Sequence, residues 1–209
     1  MVKWFLAGGI FMWPILASLV IGLMFTFERF WTLTRASINS RKFINQVKDA
    51  LEKDGTSKAI EVCTKTRGPI AAVVHAGLLR VRYGVDAVEK AIMSAGSVEM
   101  AFLEKNLVWL ATVISMAPML GFLGTVSGMV GAFDAIAAAD DISPSLVASG
   151  ISEALITTEA GLVVAIIVQF FHNYFVSRID KIVAEMEEST QEIVNVLVDQ
   201  NEPSGSKKG

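Results

Sequence analysis

From Asn106 to Ser177 the chain runs for 72 residues without a lysine or arginine. Water-soluble folds rarely leave such a gap. A bilayer requires one, because a cation at mid-membrane costs about 2.5–3.5 kcal/mol on insertion scales. Of the 18 cations, 13 lie between Arg29 and Lys105 and four from Arg178 onward, with Lys3 alone near the start. Two apolar runs fill the gap. Leu107 to Phe133 carries no charge, and Leu146 to Val176 carries only Glu153 and Glu159, with His172 near its end. An earlier run, Trp4 to Phe27, is also uncharged. About 20 residues rising 1.5 Å each cross the hydrocarbon, so all three runs are long enough. The expected fold is an all-α membrane protein with three transmembrane helices, at 1–28, 106–136 and 146–177.

Orientation follows lysine and arginine placement, so the cation-rich 29–105 belongs in the cytoplasm. The N-terminus and the acidic turn 137–145 then lie outside, and the C-terminus inside. Lys3 before an apolar core has the look of a cleavable signal peptide. However, the run is long, no small-x-small site precedes polar sequence, and cleavage would export the thirteen cations. No basic surface suited to nucleic acid is evident. The single Cys63 excludes an internal disulfide and cannot alone build a metal site. Without a nucleotide-binding loop or a metal-ligand cluster, neither an enzyme nor a resident cofactor is expected.

The 29–105 region reads as a helical cytoplasmic domain. Phe43, Val47 and Leu51 recur at helical spacing before Asp54-Gly55. Thr56 or Ser57 is a candidate cap for a short helix ending at Gly68-Pro69, and another helix is expected from Pro69 to Tyr83. From Val85 a single helix is expected to continue into the second span. The third span is expected to extend likewise through 178–200, where Ile179, Ile182, Met186, Ile193 and Leu197 form an apolar stripe. That stripe suits packing within the chain or on another subunit. Pro144 fits an early position of the third helix with Ser143 as its cap, while 201–209 is too polar to fold.

The spans carry unusual residues. Gly121, Gly124, Gly128 and Gly131 lie along one broad face of the second span, and Gly150, Ala154, Thr157, Gly161 and Ala165 continue the habit in the third. Small residues at such spacing let helix backbones approach closely in a membrane. Intramembrane acids usually face protein or a wet cavity. Glu153 and Glu159 point about 120° apart around the helix axis, so Glu153 shares a face with Thr157 and Glu159 with Ser152. For Thr125, Thr157 and Thr158, the plain reading is a hydroxyl bonded back to a carbonyl one turn earlier.

The stretch Ala117–Gly128 (APMLGFLGTVSG) resembles the second-span signature of the MotA/TolQ/ExbB proton-channel family, and Gly150–Ile166 (GISEALITTEAGLVVAI) resembles its third-span signature. The three-span layout resembles the ExbB/TolQ branch. The resemblance implies a homopentamer whose second and third spans line a pore. Inside it would sit the single-span helices of an ExbD/TolR-like dimer bearing a protonatable aspartate. By position, Thr125 and Thr158 match the family's pore threonines and Glu153 its third-span glutamate. Two departures stand out: Glu159 where the family commonly has a small residue, and Ile167 where it has proline. The first opens Na⁺ beside H⁺ as the transported ion; the second implies a straighter helix. The implied function is the channel subunit of an ion-driven motor passing work to a TonB- or TolA-like protein. A flagellar-type or gliding stator subunit and a non-conducting oligomeric scaffold are the alternatives, the first usually having four spans. A small-solute transporter fits poorly with three spans and no repeat.

Overall fold

The computed structural model describes residues 2–37, 39–139 and 144–201. Among them the chain is helical throughout, in eight α-helices and no strand: α1 (Val2–Ala7), α2 (Met12–Ala36), α3 (Ser40–Asp54), α4 (Thr56–Lys65), α5 (Pro69–Leu78), α6 (Val85–Glu104), α7 (Leu107–Ala139) and α8 (Pro144–Asn201). Most of the expected outer turn (140–143, with Ser143) and the tail from 202 lie outside the described residues. Three stretches of helix, within 12–54, 85–138 and 147–199, are long and apolar enough to cross a membrane. The chain divides into two compact units, Met1–Phe30 with Asn106–Phe175, and Trp31–Lys105 with Val176–Gly209.

The first unit carries its apolar side chains outward as well as inward. Phe27, Phe122, Ile166 and Phe170 are all more than 60% exposed, a pattern that suits acyl chains and would be costly in water. Inside, Leu110, Val113, Ala117, Ala154, Val168 and Phe175 are almost fully buried. Gly22 lets α2 approach, since a Cβ there would lie 2.9 Å from Val168 and 3.3 Å from Val113. Buried hydroxyls stay paired within their own helix: Ser18 donates to the Ile15 carbonyl at 2.7 Å and Thr26 to that of Gly22 at 2.8 Å. The first apolar run holds two helices: α1 ends at Gly8-Gly9 and α2 begins at Met12. Pro14 therefore falls in the first turn of α2, where its missing N–H costs nothing.

The second unit closes on a core in which Phe43, Val47 and Leu51 of α3 meet Cys63, Ile70, Val73, Val74 and Val88. Met186, Ile193 and Leu197 of α8 belong to the same core, and Ile179 and Ile182 are also buried, so the apolar stripe packs within the chain. Asn39 caps α3 by accepting from the Lys42 N–H at 3.1 Å. Three expectations of helix bounds need correction. Gly55, at φ 82°, holds the N-cap position of α4 with no side-chain cap bond, which leaves Thr56 as its first helical residue. The helix begun at Pro69 stops at Leu78, and a 3₁₀ turn over Val81–Tyr83 leads to Gly84. The continuous helix expected from Val85 is interrupted at Lys105-Asn106, where Asn106 takes φ 66°. Asparagine visits this left-handed region more readily than most residues. Its amide also donates to Glu28 Oε2 at 3.3 Å, while Glu28 pairs with the buried Arg29.

Candidate functional site

Glycines bring α7 and α8 into backbone contact. A Cβ on Gly121 would lie 2.9 Å from the Thr157 carbonyl oxygen, one on Gly124 2.7 Å from Thr157 Cγ2, and one on Gly128 3.2 Å from the Ala154 nitrogen. From the other side, a Cβ on Gly161 would lie 2.5 Å from the Ala117 carbonyl oxygen. Gly150 sits against Ala132 in the same way. Gly131 differs, because a Cβ there would meet nothing within 4 Å. The approach is thus concentrated between Ala117 and Ala132.

At the centre of this contact the hydroxyls of Thr125 and Thr158 touch each other. Thr125 Oγ1 also lies 3.2 Å from the Ala154 carbonyl oxygen and 3.3 Å from that of Gly121, and Thr158 Oγ1 lies 3.2 Å from the Gly121 oxygen. Each hydroxyl has one proton to donate and two lone pairs to accept with. The row Ala154 carbonyl, Thr125, Thr158, Gly121 carbonyl can therefore be satisfied in either direction. In one, Thr125 donates to Thr158, which donates to Gly121. In the other, Thr158 donates to Thr125, which donates to Ala154. Thr157 plays a different part: it is 1% exposed and donates to the Glu153 carbonyl at 2.5 Å, the local bond expected for a membrane threonine.

The two glutamates stand apart from this pair. Glu153 turns its carboxyl onto Gly9, filling the space a Cβ there would need, and Gly9 holds φ 69°. Thr157 bonds to the backbone of Glu153, not to its carboxylate. Glu159 is exposed and lies in a groove of about 640 Å³ with Trp4, Phe5, Met12, Ile156 and Val163. Among the described residues no carboxylate accepts from Thr125 or Thr158. The surroundings of both acids, Gly9 for one and Trp4 with Phe5 for the other, were missed in the sequence. Gly8-Gly9 inside an apolar run was the available signal, since paired glycines commonly mark a turn.

Comparison with known proteins agrees with the two span signatures. The MotA/TolQ/ExbB proton channel family matches residues 65–188, more than half of the chain. An ExbB homologue of Methanothermobacter thermautotrophicus, named a biopolymer transport protein, is 32% identical over 184 residues, covering 88% of this chain and 65% of its own. An ExbB-like protein of Synechocystis is 33% identical over 166 residues, covering 78% and 65%. The Tol-Pal system protein TolQ of Haemophilus influenzae is 36% identical over 99 residues, covering 47% of this chain and 43% of its own. This chain thus spans just under two thirds of the length of the first two relatives. With the family signature lying across the α7–α8 contact, the chain belongs to the MotA/TolQ/ExbB proton channel family, on its ExbB/TolQ branch.

Proposed function

We propose that this protein is the channel-forming subunit of an ion-driven motor in the inner membrane. It works as a homo-oligomer, a pentamer by family resemblance, around a single-span ExbD/TolR-like partner whose membrane aspartate takes up and releases the ion. The second unit then lies in the cytoplasm, the N-terminus and the turn around 140 outside, and force passes to a TonB- or TolA-like protein. The observation that supports this most is the Thr125–Thr158 hydroxyl pair, which can reverse its hydrogen-bond direction between two fixed carbonyls. Such a row can hand on or solvate a proton without moving a helix.

Valine matches threonine in shape and lacks the hydroxyl. Thr158→Val or Thr125→Val leaves a carbonyl or hydroxyl unpaired at an ion barrier, which costs about 1–3 kcal/mol, or about 5- to 150-fold in flux. Proton flux into vesicles holding the protein with its partner measures this, and gel filtration checks assembly. Full flux in both variants would remove the pore assignment. Glu159 adds a second carboxylate near the same depth, poised to bind Na⁺ or carry a further proton. Glu159→Ala is expected to shift the Na⁺ or pH dependence of flux, and an unchanged dependence returns Glu159 to a packing role.

A further inference from the structure

A cavity of about 710 Å³ in the second unit is lined by Trp31, Arg35, Arg67, His75, Glu99 and Phe102, among others. We propose that this cavity binds the phosphate of an acidic phospholipid, with Arg35 and Arg67 as the anion-binding pair.

Charge is the first argument. Among the described residues neither Arg35 nor Arg67 makes a hydrogen bond or ion pair, whereas on neighbouring α4 Lys58 and Lys65 are both paired with Glu61. Two guanidiniums facing one cavity suit a phosphate, because each planar fork can donate two parallel N–H bonds to it. Thr64 and Thr66 add hydroxyls to the lining, and α5 begins there at Pro69, after an N-cap Gly68 with no side-chain cap bond. The one acid in the lining, Glu99, is partly desolvated, and burial pushes its pKa upward, so it opposes an anion less than a solvated carboxylate would.

The rim points to a lipid in preference to a free phosphate. Trp31 is 70% exposed and Phe102 is 51% exposed. Trp31 follows Phe27 by four residues on α2, about 6 Å along the helix axis, and Phe102 precedes the start of α7 by five residues. Both therefore stand where the chain leaves a span, the level at which tryptophan sits among headgroups. Ala36, Pro69 and Ala72 add apolar wall that can receive a glycerol backbone. Basic pockets at such positions hold acidic headgroups elsewhere among membrane proteins.

The test uses the full chain in detergent and counts lipid adducts by native mass spectrometry. Phosphatidylglycerol and phosphatidylcholine of identical acyl chains are offered separately. The expected result is retention of phosphatidylglycerol over phosphatidylcholine, falling about 30-fold in Arg35→Gln/Arg67→Gln and about fivefold in Arg67→Gln alone. Lys58→Gln/Lys65→Gln removes the same charge elsewhere and is expected to keep wild-type retention. Equal binding of the two lipids overturns the proposal, as does undiminished retention in the arginine variants. An equal loss in the lysine variant also overturns it, because diffuse attraction then suffices. Displacement of the lipid by millimolar inorganic phosphate overturns the lipid assignment in favour of a soluble phosphate site.

Discussion

Replacing Gly161 by alanine tests the α7–α8 contact on which the threonine pair depends. The added Cβ would sit 2.5 Å from the Ala117 carbonyl oxygen and 3.2 Å from Gly121 Cα, where ordinary contact begins at 3.4 Å. The obstacle is backbone inside α7, so relief requires the helices to separate locally by about 0.9 Å, since no side chain can turn aside. Overpacking of this kind costs about 1–3 kcal/mol. Alanine also gains about 1 kcal/mol over glycine within a helix, which would mask part of the loss. Gly131→Ala supplies the correction. It receives the same helix gain, yet its Cβ meets nothing within 4 Å. The difference between the two variants therefore isolates the contact, and Gly161→Ala is expected to be about 1–3 kcal/mol less stable than Gly131→Ala. Loss of helix signal on titration with sodium dodecyl sulfate in mixed micelles measures both. Equal stability, or a more stable Gly161→Ala, would refute the close approach.

Two further outcomes concern the second unit and the join between α6 and α7. Burial pushes the Cys63 thiol from 9.0 up to about 11. At pH 8 its thiolate population is then about 100-fold below that of an unshifted thiol, and maleimide labelling should slow at least that much relative to denatured chain. The same shift makes its contribution to stability complete below pH 9 and lost as pH rises toward about 11, a dependence that Cys63→Ala should remove. At Asn106, φ 66° admits glycine freely but strains a β-branched side chain. Asn106→Val is expected to lose about 1–3 kcal/mol and Asn106→Gly less, both read by thermal unfolding followed by circular dichroism. Equal losses would mean that the side-chain bond to Glu28, not the backbone, matters at this position.

Much of the fold was legible because lipid imposes a coarse rule. A cation-free stretch from Asn106 to Ser177 needs no tertiary knowledge to read, and neither does the 3.6-residue recurrence of Phe43, Val47 and Leu51. Boundaries were harder. The break at Asn106 depends on one residue taking a left-handed φ, and an asparagine alone, without glycine or proline beside it, does not compel a break. The helix that stops at Leu78 does so without a glycine or proline until Gly84. In the site, spacing could place Glu153 and Thr157 on one face, but not that the hydroxyl would choose the Glu153 backbone over its carboxylate. Nor could it say that Thr158 would bond across to Gly121 on α7 instead of back along its own helix. Such choices depend on how closely two helices approach, a distance that periodicity does not contain.

The separation of acids from hydroxyls bears on the proposed function. Thr158 and Glu159 are adjacent in sequence, so about 100° separates them around the α8 axis. One side faces α7 and Thr125; the other opens to Trp4 and Phe5. Glu153 is occupied with Gly9. A hydroxyl pair can relay a proton, but it cannot store one at physiological pH, because neither an alcohol nor a carbonyl holds a stable charge. Storage needs a group that titrates, and among the described residues no such group bonds to the pair. Under the proposed function, the titrating acid is the one carried by a partner helix brought against α7 and α8.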